Sequence, residues 1–441
     1  MKAPKPQKLT AAEYGTLAKT WTETTPAPNP PLQVKGPVHS QEWGYNSEIT
    51  HIPPATIMGN IDIPKTVRKL PEGMVVKGRL NIQDNPHITE VNVRAETIVI
   101  TNCKAVSSIL SAGTSLNLDQ CENIRSIKGN YNSLRVDECP AFEGHEARVS
   151  GELTVVKCPK FTSVSGQLGT RVTARKCPNF AGLEPGAQFA DPGSLIIEES
   201  LMTELNGPLP DHIHISNCPN LTKIGPGQVG NLGVTDLPAL EVIEAKGKEV
   251  WIRGCPKVRV FGDETTTKLS VTGNEHLKEV QLALESLSVD GCPNFILNGA
   301  PKSLRVRNCP QITEISTRIE GFLDIDACEN FSGFSPGLPV GNPSCIIKGC
   351  PKFATFEGIT TLLSVEDCPN YTGVGPNGKV GGKYFISACP KLEPINHPVG
   401  ETITCRDDSF KGVGPLATGS TLYLKNQTIS LEEYKKNHDI Q

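Results

Sequence analysis

Bulky side chains are scarce in this chain. Aromatic residues make up only 5% of its 441 residues, with three Trp and four Met. So few large groups do not fill one thick globular core in a chain of this length. No stretch approaches 18 consecutive apolar residues, so a transmembrane helix is not expected. Met1 to Lys8 lacks a following apolar segment, so a Sec-type signal peptide is not expected either. Net charge is also small, at −4, which argues against nucleic acid or an anionic membrane as partner. Closely spaced cysteine pairs are missing. The nearest two are Cys345 and Cys350, so no metal site is assigned. None of the nine His recurs beside a fixed cysteine, and a thiol nucleophile needs an oriented base. No catalytic residue and no cofactor is therefore assigned.

What the chain does have is Gly (41), Pro (36) and Cys (15), a composition of many turns and thin coils. Thirteen of the 15 cysteines share one frame, apolar-x-apolar-x-x-Cys, as in Leu116, Leu118 and Cys121, or Leu304, Val306 and Cys309. Pro usually follows, then one free residue and an apolar one such as Phe142, Phe161, Leu221 or Ile312. The frame runs from Asn85 to Gln427 in 18 steps, a mean period of 19 residues and 19 coils. A fixed period over most of a chain signals a solenoid. Alternation within each frame predicts a short strand, one side facing inward and the other solvent. One coil cannot bury its apolar positions alone, but stacked coils make a thin core and a long parallel sheet.

The Cys position is filled elsewhere by Asn85, Ser200, Leu237, Asn274, Asp408 and Gln427. Five of these six are hydrogen-bonding side chains, so the position is expected to tie turn backbone from inside the core. Cys does so weakly while also behaving as a small hydrophobe. Cys345 and Cys405 fall at inward strand positions instead and read as plain core. Many cysteines without a secretory signal point to a reducing compartment, the cytoplasm or one reached by non-Sec export.

The segments 80–91 and 304–315 fit L-x-L-x-x-N/C-x-x-[LI], and 70–82 carries a Leu-Pro-x-Gly segment. On these motifs the chain resembles the short bacterial leucine-rich repeats over about residues 57–431. The resemblance implies a protein-binding surface, as in bacterial effectors. Departures are the Cys-Pro habit and a period too short for a helix on every convex side. The expected fold is an all-β, leucine-rich-repeat-like solenoid of about 19 coils with a short N-terminal helix or cap.

Three segments are expected: a Pro-rich arm and cap at 1–56, the solenoid at 57–431 and a polar tail at 432–441. Thr10 and Glu13 match a capping box opening a helix near 11–20, and 24–31 reads as a polyproline linker. On the outward strand positions, Asp119 and Asp137, with Glu138, fall on adjacent coils, followed by basic Arg175 and Lys176. Arg305 and Arg307 lie one period from Asp324 and Asp326, which predicts opposite charges side by side. Trp251 with Arg253 is the foremost candidate contact, since Trp and Arg are favoured anchors. A protein partner is expected, and a small-molecule ligand is not. The function expected is a non-enzymatic interaction module or scaffold. The rival is a structural component of a phage or surface assembly. A solenoid polysaccharide lyase using the acidic cluster ranks third.

Overall fold

The computed structural model describes residues 5–30, 32–43, 48–259, 263–406, 408–418, 421–425 and 427–440. The chain divides into two compact units, Met1–Val229 and Gly230–Gln441. Each is an all-β parallel solenoid, and together they hold about 20 turns. The first strand of each coil carries the alternation into space. In the first unit Leu116, Leu134, Leu153, Val172, Leu195 and Ile213 stand in one inward column. In the second unit the column runs through Val250, Leu269, Leu287, Leu304, Leu323, Cys345 and Leu363. All of these are buried.

Past most of these strands comes a residue in the left-handed region, immediately before the Cys position. Examples are Asp84 (φ 50°), Gln120 (φ 54°), Glu138 (φ 50°), Asn308 (φ 51°) and Gly273 (φ 65°). Its amide continues the ladder around the corner: Asn102 N–H donates to Asp119 O at 2.9 Å, and Gln120 N–H to Asp137 O at 3.0 Å. The next residue then dives inward. Cys103 Sγ donates to Thr101 O at 3.3 Å and to Ile82 O of the preceding coil at 3.5 Å. Cys139 and Cys309 reach the carbonyl two residues back at 3.2 and 3.0 Å.

Asn fills the same role more completely. Asn274 Nδ2 donates to Cys255 O and Val258 O at 2.8 and 3.1 Å, while its Oδ1 accepts from the His276 and Leu277 amides at 2.8 and 2.7 Å. Asn85 repeats this pattern in the first unit. Ser200 makes a shorter version, donating to Phe180 O and accepting from Met202 N. Leu237 occupies the position as plain core, fully buried.

Two expected members do not belong. The Asp408 side chain is 96% exposed, because burying an unpaired carboxylate is too costly. Its neighbour Ser409 is buried instead and accepts the Cys389 amide at 2.8 Å. Gln427 is exposed on Gln427–Ser430, a strand that runs antiparallel to Thr421–Leu424. The apolar residue three past the Cys stacks from coil to coil: Phe142, Phe161 and Phe180 in one unit, Phe331, Phe353 and Tyr371 in the other, at 5.2–5.6 Å. The returning side is extended, with two-residue strands such as Ser163–Val164 and Glu314–Ile315.

The ends are built rather than loose. Lys8–Thr10 pairs in parallel with Leu32–Lys35, which pairs with Ala55–Ile57, so much of the expected arm extends the sheet. Thr10 and Glu13 form the capping box, and the helix runs Ala11–Ala18. Tyr14 is fully buried, donates to Pro53 O at 2.6 Å and packs edge-on to Trp43 at 5.7 Å. Gly15 allows this approach, since a Cβ there meets Glu42 O at 2.3 Å. At the other end, residues expected as a polar tail form the helix Leu431–Asn437, N-capped by Ser430. Lys435 Nζ anchors it to Pro415 O and Ala417 O at 2.8 and 2.6 Å.

Asn274→Ala orphans two carbonyls and two amides and is expected to cost about 3 kcal/mol or more in denaturant titration. Asn274→Cys is expected to recover part of that loss. Deleting residues 1–35 removes Tyr14 and two strands and is expected to lower the melting temperature of the remaining chain by circular dichroism. An unchanged melt would show the arm to be dispensable.

Candidate binding face

The outward strand positions form columns in register, and their neighbours decide what each side chain is free to do. In the first unit Asp119 stands directly beside Asp137. Burial and the nearby Asp137 and Glu138 carboxylates push the Asp119 carboxyl above its ordinary range. Asp137 is held by Arg135 at 2.6 Å. Glu138 lies on the left-handed corner and not on the strand face, where it bonds Lys157 and accepts from Gln120 at 3.0 Å. Those partners hold its carboxyl below the ordinary range. Arg175 pairs with Glu198 at 2.6 Å and Lys176 with Glu199 at 3.7 Å. The acidic and basic groups of this unit thus largely neutralise one another. Pairs this exposed add little to stability, but they favour correct register over slipped pairing.

In the second unit Arg305 and Arg307 stand in register with Asp324 and Asp326, as the period predicts. Both guanidiniums converge on Asp324, each at 2.9 Å, and Asp326 is 3.8 Å from Arg307 Nε. Asp324 is only 5% exposed, covered by its two partners. Arg305 also lies over the Phe322 ring at 5.6 Å. Trp251 and Arg253 differ. Trp251 is 43% exposed, and on the following strand the in-register neighbours of this pair are Ser270 and Thr272, not carboxylates.

Two features escaped the sequence reading. Asn recurs two residues past the Cys position, and its Nδ2 donates to a carbonyl of the preceding coil. Asn123, Asn179, Asn294, Asn330 and Asn370 do so at 2.7–2.8 Å. The spacing Cys-x-Asn, with Pro between them at Asn179, Asn294 and Asn370 and Glu at Asn123 and Asn330, carries this signal. The second is a groove of about 320 Å³ on the outward face of the second unit, around Ile346, Ser364 and Phe385. Its signal is apolar residues at positions that alternation assigns to solvent.

All 15 cysteines are buried and unbridged. Burial pushes Cys103, Cys255 and Cys328 up to about 11, and Cys158, Cys309 and Cys368 up to about 12. Cys121 rises further, through its hydrogen bond with the Cys139 thiol and then burial. Among the described residues, no three His, Cys, Asp or Glu gather as a metal ligand set, and no helix is long and apolar enough to cross a membrane. No protein-family model, curated protein or solved structure matches the chain.

A raised thiol pKa means that thiolate, the reactive form, is scarce at pH 8. Ellman titration at pH 8 is expected to find almost no reactive thiol in native protein and all 15 after denaturation under reducing-agent-free conditions. Fast native labelling, or a denatured count that rises only with reductant, overturns the buried-thiol assignment.

Proposed function

We propose that the chain is a non-enzymatic scaffold that binds a protein partner through its outward strand face. The observation that carries this reading is the contrast between Trp251–Arg253 and the other charged candidates. Arg175, Lys176, Arg305 and Arg307 have carboxylates of their own coil stack beside them. Arg253 has Thr272 beside it and projects next to a half-exposed indole. An aromatic and a guanidinium lacking that internal neutralisation are the usual anchors of an interface. The rigid ladder beneath them holds both on fixed backbone, which lowers the ordering cost of association.

The buried, unbridged cysteines support a structural role for the most conspicuous residues. The resemblance to short bacterial leucine-rich repeats supports the same class of function, a bacterial effector or related scaffold. The reducing compartment expected for such thiols suits a protein working in cytoplasm, its own or a host's.

Trp251→Ala combined with Arg253→Ala is expected to weaken partner capture at least about tenfold while the melting temperature stays within a degree or two. The comparison variant carries Asp137→Ala and Glu138→Ala and is expected to capture normally. Quantitative pull-down followed by calorimetry on the captured partner measures both. Undiminished binding by the Trp251 and Arg253 variant overturns this interface, as does a turnover activity abolished by one carboxylate change.

A further inference from the structure

We infer that the second unit carries a separate site for an extended, neutral, β-linked oligosaccharide, centred on Phe385 in the groove of about 320 Å³. Ile346, Ser364, Phe385 and Thr404 succeed one another in a single outward column, one per strand. Tyr423 follows Thr404 in the same column and is 43% exposed. Phe385 lies seven strands beyond Trp251, about 34 Å at the usual strand spacing, and the site does not depend on the protein interface proposed above.

The backbone beneath the groove narrows the choice of ligand. The strands Ser344–Lys348, Ile359–Glu366, Lys379–Ser387 and Thr402–Cys405 are each paired on both sides. Their amides and carbonyls are used up, so an incoming peptide cannot add as a strand. A peptide laid flat over Ile346 and Phe385 leaves its own N–H and C=O groups facing apolar side chains, which is costly. The ligand must therefore be read by side chains alone.

Those side chains are of two kinds. Ile346 and Phe385 offer apolar surface, and Ser344, Ser364 and Thr404 offer hydroxyls that both donate and accept. Two charged residues line the groove, Glu366, which is also paired with Lys348 at 3.4 Å, and Arg406, and their opposite signs leave the lining without net charge for an ionic ligand. A pyranose with equatorial hydroxyls matches this mixture, with flat C–H faces for stacking and hydroxyls around its rim. The groove's size is at the lower end of the range for small-molecule sites. Phe385 and Tyr423 lie two strands apart, about 9.6 Å, close to the advance of a disaccharide along a flat β-linked chain. One ring stacks on Phe385, the next passes over Thr404, and the third meets Tyr423. A coiled α-linked chain of the same hexose cannot keep that contact.

Cellohexaose and maltohexaose, titrated separately into the full chain by isothermal calorimetry, test the site. Cellohexaose is expected to bind with a Kd below about 1 mM, and maltohexaose at least about tenfold more weakly. Phe385→Ala and Tyr423→Ala are each expected to lower cellohexaose affinity about tenfold or more, and Trp251→Ala to leave it unchanged. Circular dichroism melting checks each variant, and Tyr423→Ala at an exposed position carries the test if Phe385→Ala unfolds. Absence of cellohexaose binding, equal binding of the two sugars, or affinity indifferent to Tyr423→Ala overturns the proposal.

Discussion

Each coil of this protein must turn away from its strand above a core only a few side chains thick, and the amides and carbonyls of that turn have nowhere to find water. Satisfying them from inside is the constraint on which the rest depends. The left-handed residue at the corner turns the chain, and the following side chain drops beneath it to bond the exposed backbone. Asn does this with four bonds, as at Asn274 and Asn85. Cys has one weak donor but is small, apolar and content in a dry core. The two residue types solve one problem by different routes, Asn through pairing and Cys through low desolvation cost. Non-glycine residues held at φ near 50° oppose folding by about 1 kcal/mol or more each, an expense that only a well-satisfied corner can offset.

Stacking in register has a second consequence. Every outward residue acquires the same two neighbours for life, one from the coil before and one from the coil after. Opposite charges a period apart become ion pairs, as Arg305 and Arg307 do around Asp324. Like charges a period apart become a local strain, as Asp119 shows beside Asp137. The face is thus largely self-neutralised. The proposed contacts fall where the column pattern breaks: an indole next to serine, or Ile346 and Phe385 set among hydroxyls.

A stack of parallel strands also has two open ends, each a row of unpaired backbone groups and a slice of exposed core. The first unit closes its end with Tyr14 and Trp43 on short helices and strands. The second changes direction, ending in an antiparallel strand and a helix anchored by Lys435.

The period, the inward columns and the burial of the cysteines were legible in the sequence, because alternation and stacking are local rules repeated many times. Val306, Phe142 and Cys309 had to point inward wherever the coils lay. The sequence also paired Arg305 with Asp324 from spacing alone, since a 19-residue step in a parallel stack is a lateral neighbour. It failed where one residue of slack was available. Asp408 fits the frame by counting, yet Ser409 is buried, because the core selects the group it can satisfy and not the position. At the N-terminal end it predicted the capping-box helix and a cap, but not the contacts that build the cap, such as Tyr14 with Pro53, 39 residues apart. Which outward side chains neutralise one another, and which stay open to a ligand, was decided only by tertiary structure, since it depends on side-chain reach across coils. Arg307 chooses Asp324 over its direct neighbour Asp326 because the buried carboxylate needs both guanidiniums, a demand that exists only once the coils are stacked.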